Sequence, residues 1–172
     1  MQCTAADVVE VLVERNWLPA SCAPGTDGAL SAWLERAADL LGPHAADRAS
    51  LTDLLALIFQ YDAAALLRDP ASQAVLAREG SRDVIRELAN RVLDLDNIDS
   101  DRFKEIIHGI KAAIPQRSRA LFLPVRFALA GRAGEGELDR VILLLDPAAS
   151  LAFAVPVKGT RQRMLEFCTA LD

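Results

Sequence analysis

The sequence predicts an all-α protein built from two small helical subdomains, divided as residues 1–62 and 63–172. Three observations carry this prediction. Apolar residues recur at i, i+3, i+4 and i+7 along most of the chain. Gly, Pro, Ser and Asp punctuate those runs at short intervals. Alternating apolar and polar residues occur only weakly, at 152–157, where Pro156 restricts the segment to an edge strand or an extended loop. With 172 residues, 52% of them apolar and 25% charged, the chain is long enough for a real core and is not low-complexity or disordered.

Val8, Val9, Val11, Leu12 and Val13 predict a short helix ending before Trp17, followed by a loop at 21–27. Ser31 is expected to cap a helix carrying Trp33, Leu34, Ala37, Leu40 and Leu41, stopped by Gly42 and Pro43. Ser50 is expected to cap the stripe Leu51, Leu54, Leu55, Ile58 and Phe59. Asp69-Pro70 breaks the pattern, and Ser72 opens a further run to Arg78. Ser81 starts a helix bearing Val84, Ile85, Leu88 and Val92. Ser100 and Asp101 open another, with Phe103, Ile106, Ile107, Ile110 and Ile114 on one face. Pro124 is placed as the first residue of a short helix that Gly131 ends. Gly134 and Gly136 form a turn, a helix through Leu138, Val141, Ile142 and Leu145 ends at Pro147, and residues 161–171 close the chain as a helix.

Charge is unevenly distributed. Residues 1–100 hold 8 Arg and no Lys against 16 acidic residues, whereas residues 101–172 hold 11 basic against 8 acidic. Within 102–132, Arg102, Lys104, Lys111, Arg117, Arg119, Arg126 and Arg132 face only Glu105, with His108 among them. Such a stripe suits a phosphate backbone, because each phosphate neutralised releases a condensed counterion. It is equally what a solvated face balancing the acidic half would look like.

Reactive chemistry is absent from the sequence. Cys3, Cys22 and Cys168 are widely spaced and His44 and His108 are far apart, so no metal site is expected and the thiols read as reduced. Asp94 and Glu105 stand at the spacing of a calcium loop, but Asp99 occupies the place that demands Gly and Ile98 offers no ligand oxygen. The glycines of 131–136 lack the Lys and Ser/Thr of a phosphate loop and include Glu135. No cofactor is expected. No apolar run nears the ~18 residues of a membrane span, and Asp7, Glu10 and Glu14 stand where a secretory signal would be basic and apolar. The cytoplasm is the expected address.

The segment 120–132, ALFLPVRFALAGR, resembles "ALFMPLRVALTGR" in the C-terminal anticodon-binding region of bacterial glutamyl-tRNA synthetases, which are class I aminoacyl-tRNA synthetases. Around it, residues 33–41, 51–62, 103–114 and 159–171 resemble, in order, that region's "YLRRAVELL", "TLxEL…FFYED", the helix leading into the segment, and "GKERxLxRLxxAL". The HIGH and KMSKS signatures of the catalytic domain are missing.

The resemblance implies an all-α, right-handed bundle or superhelix and a non-catalytic tRNA-binding module. Its partners would be a tRNA, that for glutamate, and a separate catalytic synthetase chain. It implies that Arg126 reads an anticodon base, a role suited to a planar guanidinium fork. Lys104, Lys111, Arg117, Arg119 and Arg132 would meet phosphates, and Phe122 or Phe127 would stack a base. Leu138 matches a loop residue beside the anticodon, and Arg48 lies near an Arg that reads its first base. Three departures stand out: Gly134-Glu135-Gly136-Glu137 where Thr/Ser-Pro is usual, Ala130 for Thr, and an unmatched 146–157. The acidic first half leaves two other readings open. One is a protein-interaction or regulatory subunit that kept the fold and lost RNA binding. The other is a fragment or split half of a synthetase.

Overall fold

The computed structural model describes residues 2–20 and 28–172. The loop expected at 21–27, and Cys22 within it, lie outside the described residues. Those described form ten α-helices and no strand: α1 (Ala5–Glu14), α2 (Gly28–Leu41), α3 (Arg48–Phe59), α4 (Ala63–Arg68), α5 (Pro70–Leu76), α6 (Ser81–Val92), α7 (Ser100–Ala113), α8 (Arg119–Ala130), α9 (Gly136–Ala149) and α10 (Thr160–Leu171). The all-α expectation holds. Residues 152–157 take the extended-loop form.

Two compact units result. The first comprises Met1–Gln60 with Gly136–Gly159, and the second Tyr61–Glu135 with Thr160–Asp172. Helix α9 therefore packs with the N-terminal helices rather than with the helices adjacent to it in sequence, so the division differs from 1–62 and 63–172.

In the first unit α2 packs on α1 and α9, and α3 on α1 and α9. The apolar stripes meet there: Val8, Leu12, Leu34, Leu41, Leu51, Leu55, Val141 and Leu145 are buried. The rings of Trp17 and Phe59 stack 4.9 Å apart. Phe153, from the segment that has no counterpart in the resemblance, meets Trp33 and Phe59 edge-on at 5.1 and 5.0 Å. The backbone N–H of Ala154 donates to the Trp17 carbonyl, fixing that segment against the unit.

Five helix boundaries differ from expectation. Helix α2 begins at Gly28, so Ser31 lies inside it. Asp47, not Ser50, caps α3: its carboxylate accepts from the Ser50 N–H at 2.8 Å, and an ionised acceptor at a helix N-terminus also meets the positive end of the dipole. Asp69 likewise caps α5, with Pro70 at its first position, so that helix starts before Ser72. Helices α8 and α9 run through Pro124 and Pro147. Each proline removes one ladder bond, and both helices are held by packing of almost all their apolar side chains. In α9, the Trp33 indole N–H donates to the Leu144 carbonyl near the proline.

In the second unit α8 is central, against α5, α6 and α10. From Leu121 to Ala130 every residue of it except Phe122 is buried. A helix apolar all round belongs inside a core. Gly131 ends it with φ +90°, a left-handed conformation that glycine adopts without a Cβ penalty.

Candidate nucleic-acid interface

Helix α7 presents two faces. Phe103, Ile106, Ile107 and Ile110 are buried, while Arg102, Lys104, Glu105 and His108 are exposed. Positions 104, 108 and 111 fall at i, i+4 and i+7, one above another on the helix surface. Lys104 stands exposed there, and Arg102 pairs with Glu105 at 3.4 Å. At the end of α7 the Arg117 guanidinium donates to the carbonyls of Lys111, Ile114 and Gln116 at 2.6, 2.7 and 2.7 Å. Terminal carbonyls of a helix lack intrahelical donors, so Arg117 serves as a C-terminal cap. Arg119 is exposed in the first turn of α8, where the dipole adds positive potential to its own charge.

The two helices meet electrostatically at Phe122, which is half-buried. The Lys111 ammonium lies 5.9 Å from its ring centroid, and the Arg126 guanidinium lies 4.9 Å from it. Both are cation–π distances. A half-buried ring with two cations beside it joins apolar surface to positive charge, the two features that hold single-stranded nucleic acid. Phe127 offers no such surface: it is 3% exposed and packs with Val75, Leu123 and Leu66.

Arg126 corrects an expectation. The resemblance implies that its fork reads an anticodon base, which needs an open side chain, yet the residue is only 8% exposed. Its Nη1 donates to the Gly134 carbonyl at 3.1 Å, and the Glu135 carboxylate lies 3.8 Å away. The signal was legible: Arg126 interrupts a run from Ala120 to Ala130 that is otherwise apolar.

The remaining candidates are placed as follows. Arg132 is half-buried in the loop after α8. Leu138 is fully buried in α9, inside the first unit, so its side chain forms core and not surface. Arg48, also in the first unit, donates to Glu10 and Glu14 at 2.8 and 2.7 Å, so its fork is engaged by two carboxylates. Lys104, Lys111, Arg117, Arg119, Arg126 and Arg132 thus share the second unit, while Arg48 and Leu138 do not.

Behind this face lies a buried hub that sequence reasoning missed. Arg163 of α10 is fully buried, with its guanidinium 4.5 Å from the Tyr61 ring. It donates to the Leu129 carbonyl at 3.0 Å, and the Tyr61 hydroxyl donates to the Ala128 carbonyl at 2.6 Å. These are the terminal carbonyls of α8, which the helix cannot satisfy itself. Burial pushes the Tyr61 phenol well above its ordinary pKa, so it remains a donor. Among the described residues no group of three or more His, Cys, Asp or Glu stands close enough to hold a metal ion. No helix among them is long and apolar enough to cross a membrane.

Comparison with known proteins adds to this geometry. A glutamate–tRNA ligase of Geobacillus stearothermophilus is 38% identical over 77 residues, 45% of this chain and 16% of the relative. One from Bacillus licheniformis is 24% identical over 138 residues, 80% of this chain and 28% of the relative. The glutamate–tRNA ligase 2 of Syntrophus aciditrophicus is 27% identical over 119 residues, 66% and 23% respectively. The chain thus spans under a third of the length of these relatives. No solved structure matches. The family model of the anticodon binding domain matches residues 7–152, most of the chain, and the chain belongs to that family.

Proposed function

We propose that this chain is a non-catalytic tRNA-binding module that holds the anticodon arm, and that the α7–α8 face of its second unit makes the contact. The observation that supports this reading best is the placement of Lys111 and Arg126 at the half-buried Phe122 ring, with Lys104 and Arg119 exposed on the same two helices, in a chain of the anticodon binding domain family. Lys104, Lys111 and Arg119 act on phosphates. Phe122 receives an unstacked base, and Arg126 adds positive charge beside it. Arg117 acts mainly by holding the end of α7, and Arg132 extends the positive face. Because the relatives are glutamate–tRNA ligases, the proposed RNA is the glutamate tRNA. The proposed second partner is a catalytic synthetase chain.

The test is a filter-binding titration with bulk tRNA at 50 and 200 mM salt. Affinity should fall steeply with salt, and Lys104→Ala and Lys111→Ala should each lower the slope of log affinity against log salt by about 1. A second reading, a protein-interaction subunit, draws support from the carboxylates that engage Arg48 and Arg126. Absence of association at the lower salt would favour it and end the RNA reading.

A further inference from the structure

We propose that His108 is a further phosphate-contacting residue of the α7 face, and that it makes this contact in its protonated form. The inference rests on the tRNA-binding reading above and adds a proton to what that face recognises. It starts from the register of α7. Lys104, His108 and Lys111 stand at i, i+4 and i+7, and at ~1.5 Å of rise per residue they occupy about 10 Å of one helix edge. The buried side chains Phe103, Ile106, Ile107 and Ile110 lie on the other side. The His108 imidazole is exposed, and among the described residues it makes no hydrogen bond or ion pair. Both ring nitrogens are therefore left for water or a ligand.

The charged groups around this edge leave it cationic. On α7, Glu105 lies one turn before His108, and the Arg102 guanidinium engages it at 3.4 Å. From α6, the helix packed on α7, Arg91 engages Glu87 at 3.5 Å and donates to the Gly109 carbonyl at 3.1 Å. From α8, the Phe122 ring meets the Lys111 ammonium and the Arg126 guanidinium. Both carboxylates, Glu87 and Glu105, thus have cations of their own. Histidine is the side chain whose charge changes between pH 5 and 8. Neutral, an imidazole offers a phosphate one N–H; charged, it offers two N–H donors and a full positive charge. A phosphate beside an imidazole favours the charged form, so RNA binding and protonation reinforce each other. On single-stranded nucleic acid, one more neutralised phosphate steepens log affinity against log salt by about 0.7, which is about eightfold at 50 mM salt and about threefold at 200 mM.

Filter binding of bulk tRNA at pH 8.0 and pH 5.5, each at 50 and 200 mM salt, compares wild type with His108→Gln, His108→Lys and His44→Gln. His44, the other histidine of the chain, lies in the first unit and serves as the control. At the lower salt, wild type and His44→Gln should bind about eightfold tighter at pH 5.5 than at pH 8.0, with a salt slope steeper by about 0.7. His108→Gln should lose most of that gain. His108→Lys carries its charge at both pH values, so it should bind at pH 8.0 about as tightly as wild type does at pH 5.5 and gain little more on acidification. A gain retained in His108→Gln, a gain lost in His44→Gln, or no gain in a wild type that binds tRNA would overturn the contact while leaving the RNA reading standing. If none of the four proteins binds tRNA at either pH, the function proposed above falls, and the His108 contact with it.

Discussion

Replacing Tyr61 by Phe isolates what holds the C-terminal end of α8. The ring, its packing and its contact with Arg163 are kept, and only the hydroxyl is lost. Gly131 N–H serves the Arg126 and Phe127 carbonyls, so Ala128 and Leu129 must find donors elsewhere. The Tyr61 hydroxyl serves Ala128 at 2.6 Å and also approaches the Arg163 carbonyl at 3.3 Å. Tyr61 is 9% exposed, so water does not readily replace the lost donor. Leaving a buried acceptor unsatisfied costs about 1–3 kcal/mol, with no cavity contribution because the volume barely changes. With a urea slope of about 2 kcal/mol per molar, the unfolding midpoint should fall by about 1 M. Urea unfolding followed by circular dichroism reads this directly. A shift under about 0.2 M would refute the reasoning, because it would mean that α8 ends equally well without this donor. The same burial fixes an alkaline effect. The native phenol titrates above the unfolded one, so its stabilising contribution is complete below the unfolded pKa of about 10 and declines as pH rises beyond it. The chain has a single tyrosine, so its ionisation, read by ultraviolet absorbance, should track unfolding.

Three further outcomes follow from local geometry. Gly131→Ala forces a Cβ into a left-handed conformation at φ +90° and should cost about 1–2 kcal/mol in the same unfolding assay; no loss would mean that the loop relaxes freely. Arg117→Ala removes the donor to three carbonyls at the end of α7 and should destabilise that turn by about 1 kcal/mol, seen as faster amide hydrogen exchange at residues 111–114; unchanged exchange would leave Arg117 without a structural role. The carboxylates of Asp7 and Asp47 should titrate below the ordinary range in an NMR titration. Asp7 does so chiefly through the Thr4 backbone N–H and Asp47 through that of Ser50. Their stabilising contributions are present above the unfolded pKa and disappear as pH falls through the native values; ordinary titration of either would contradict its capping role.

Much of the fold is legible in the sequence because the helices obey a local rule. The stripes at 51–59, 84–92 and 103–110 repeat at helical spacing, and those side chains are buried in α3, α6 and α7. Caps were harder, since Asp47 and Ser50 both offer acceptors and only the three-dimensional turn selects the carboxylate. Pro124 and Pro147 misled the reading of helix ends for a related reason. A proline's preference for the first turn is local, while α8 and α9 are held by tertiary burial. The return of α9 to the N-terminal helices, and the Phe153 contact with Trp33, join residues far apart in the chain and leave no periodic trace. At the candidate site the basic stripe was visible by counting charges. Which cations are open, and which are spent on carbonyls or carboxylates, depends on burial: Lys104 is exposed, Arg117 caps a helix, and Arg126 faces Glu135.

Lysine footprinting tests the proposed interface most directly. The chain contains three lysines, Lys104 and Lys111 on α7 and Lys158 in the first unit, so one reagent reports on the face and on a control position together. Acetylation under low salt, with and without bulk tRNA, is read by mass spectrometry. The account predicts that tRNA shields Lys104 and Lys111 and leaves Lys158 reactive; shielding of Lys158 alone, or of no lysine under conditions where the RNA is bound, would contradict it.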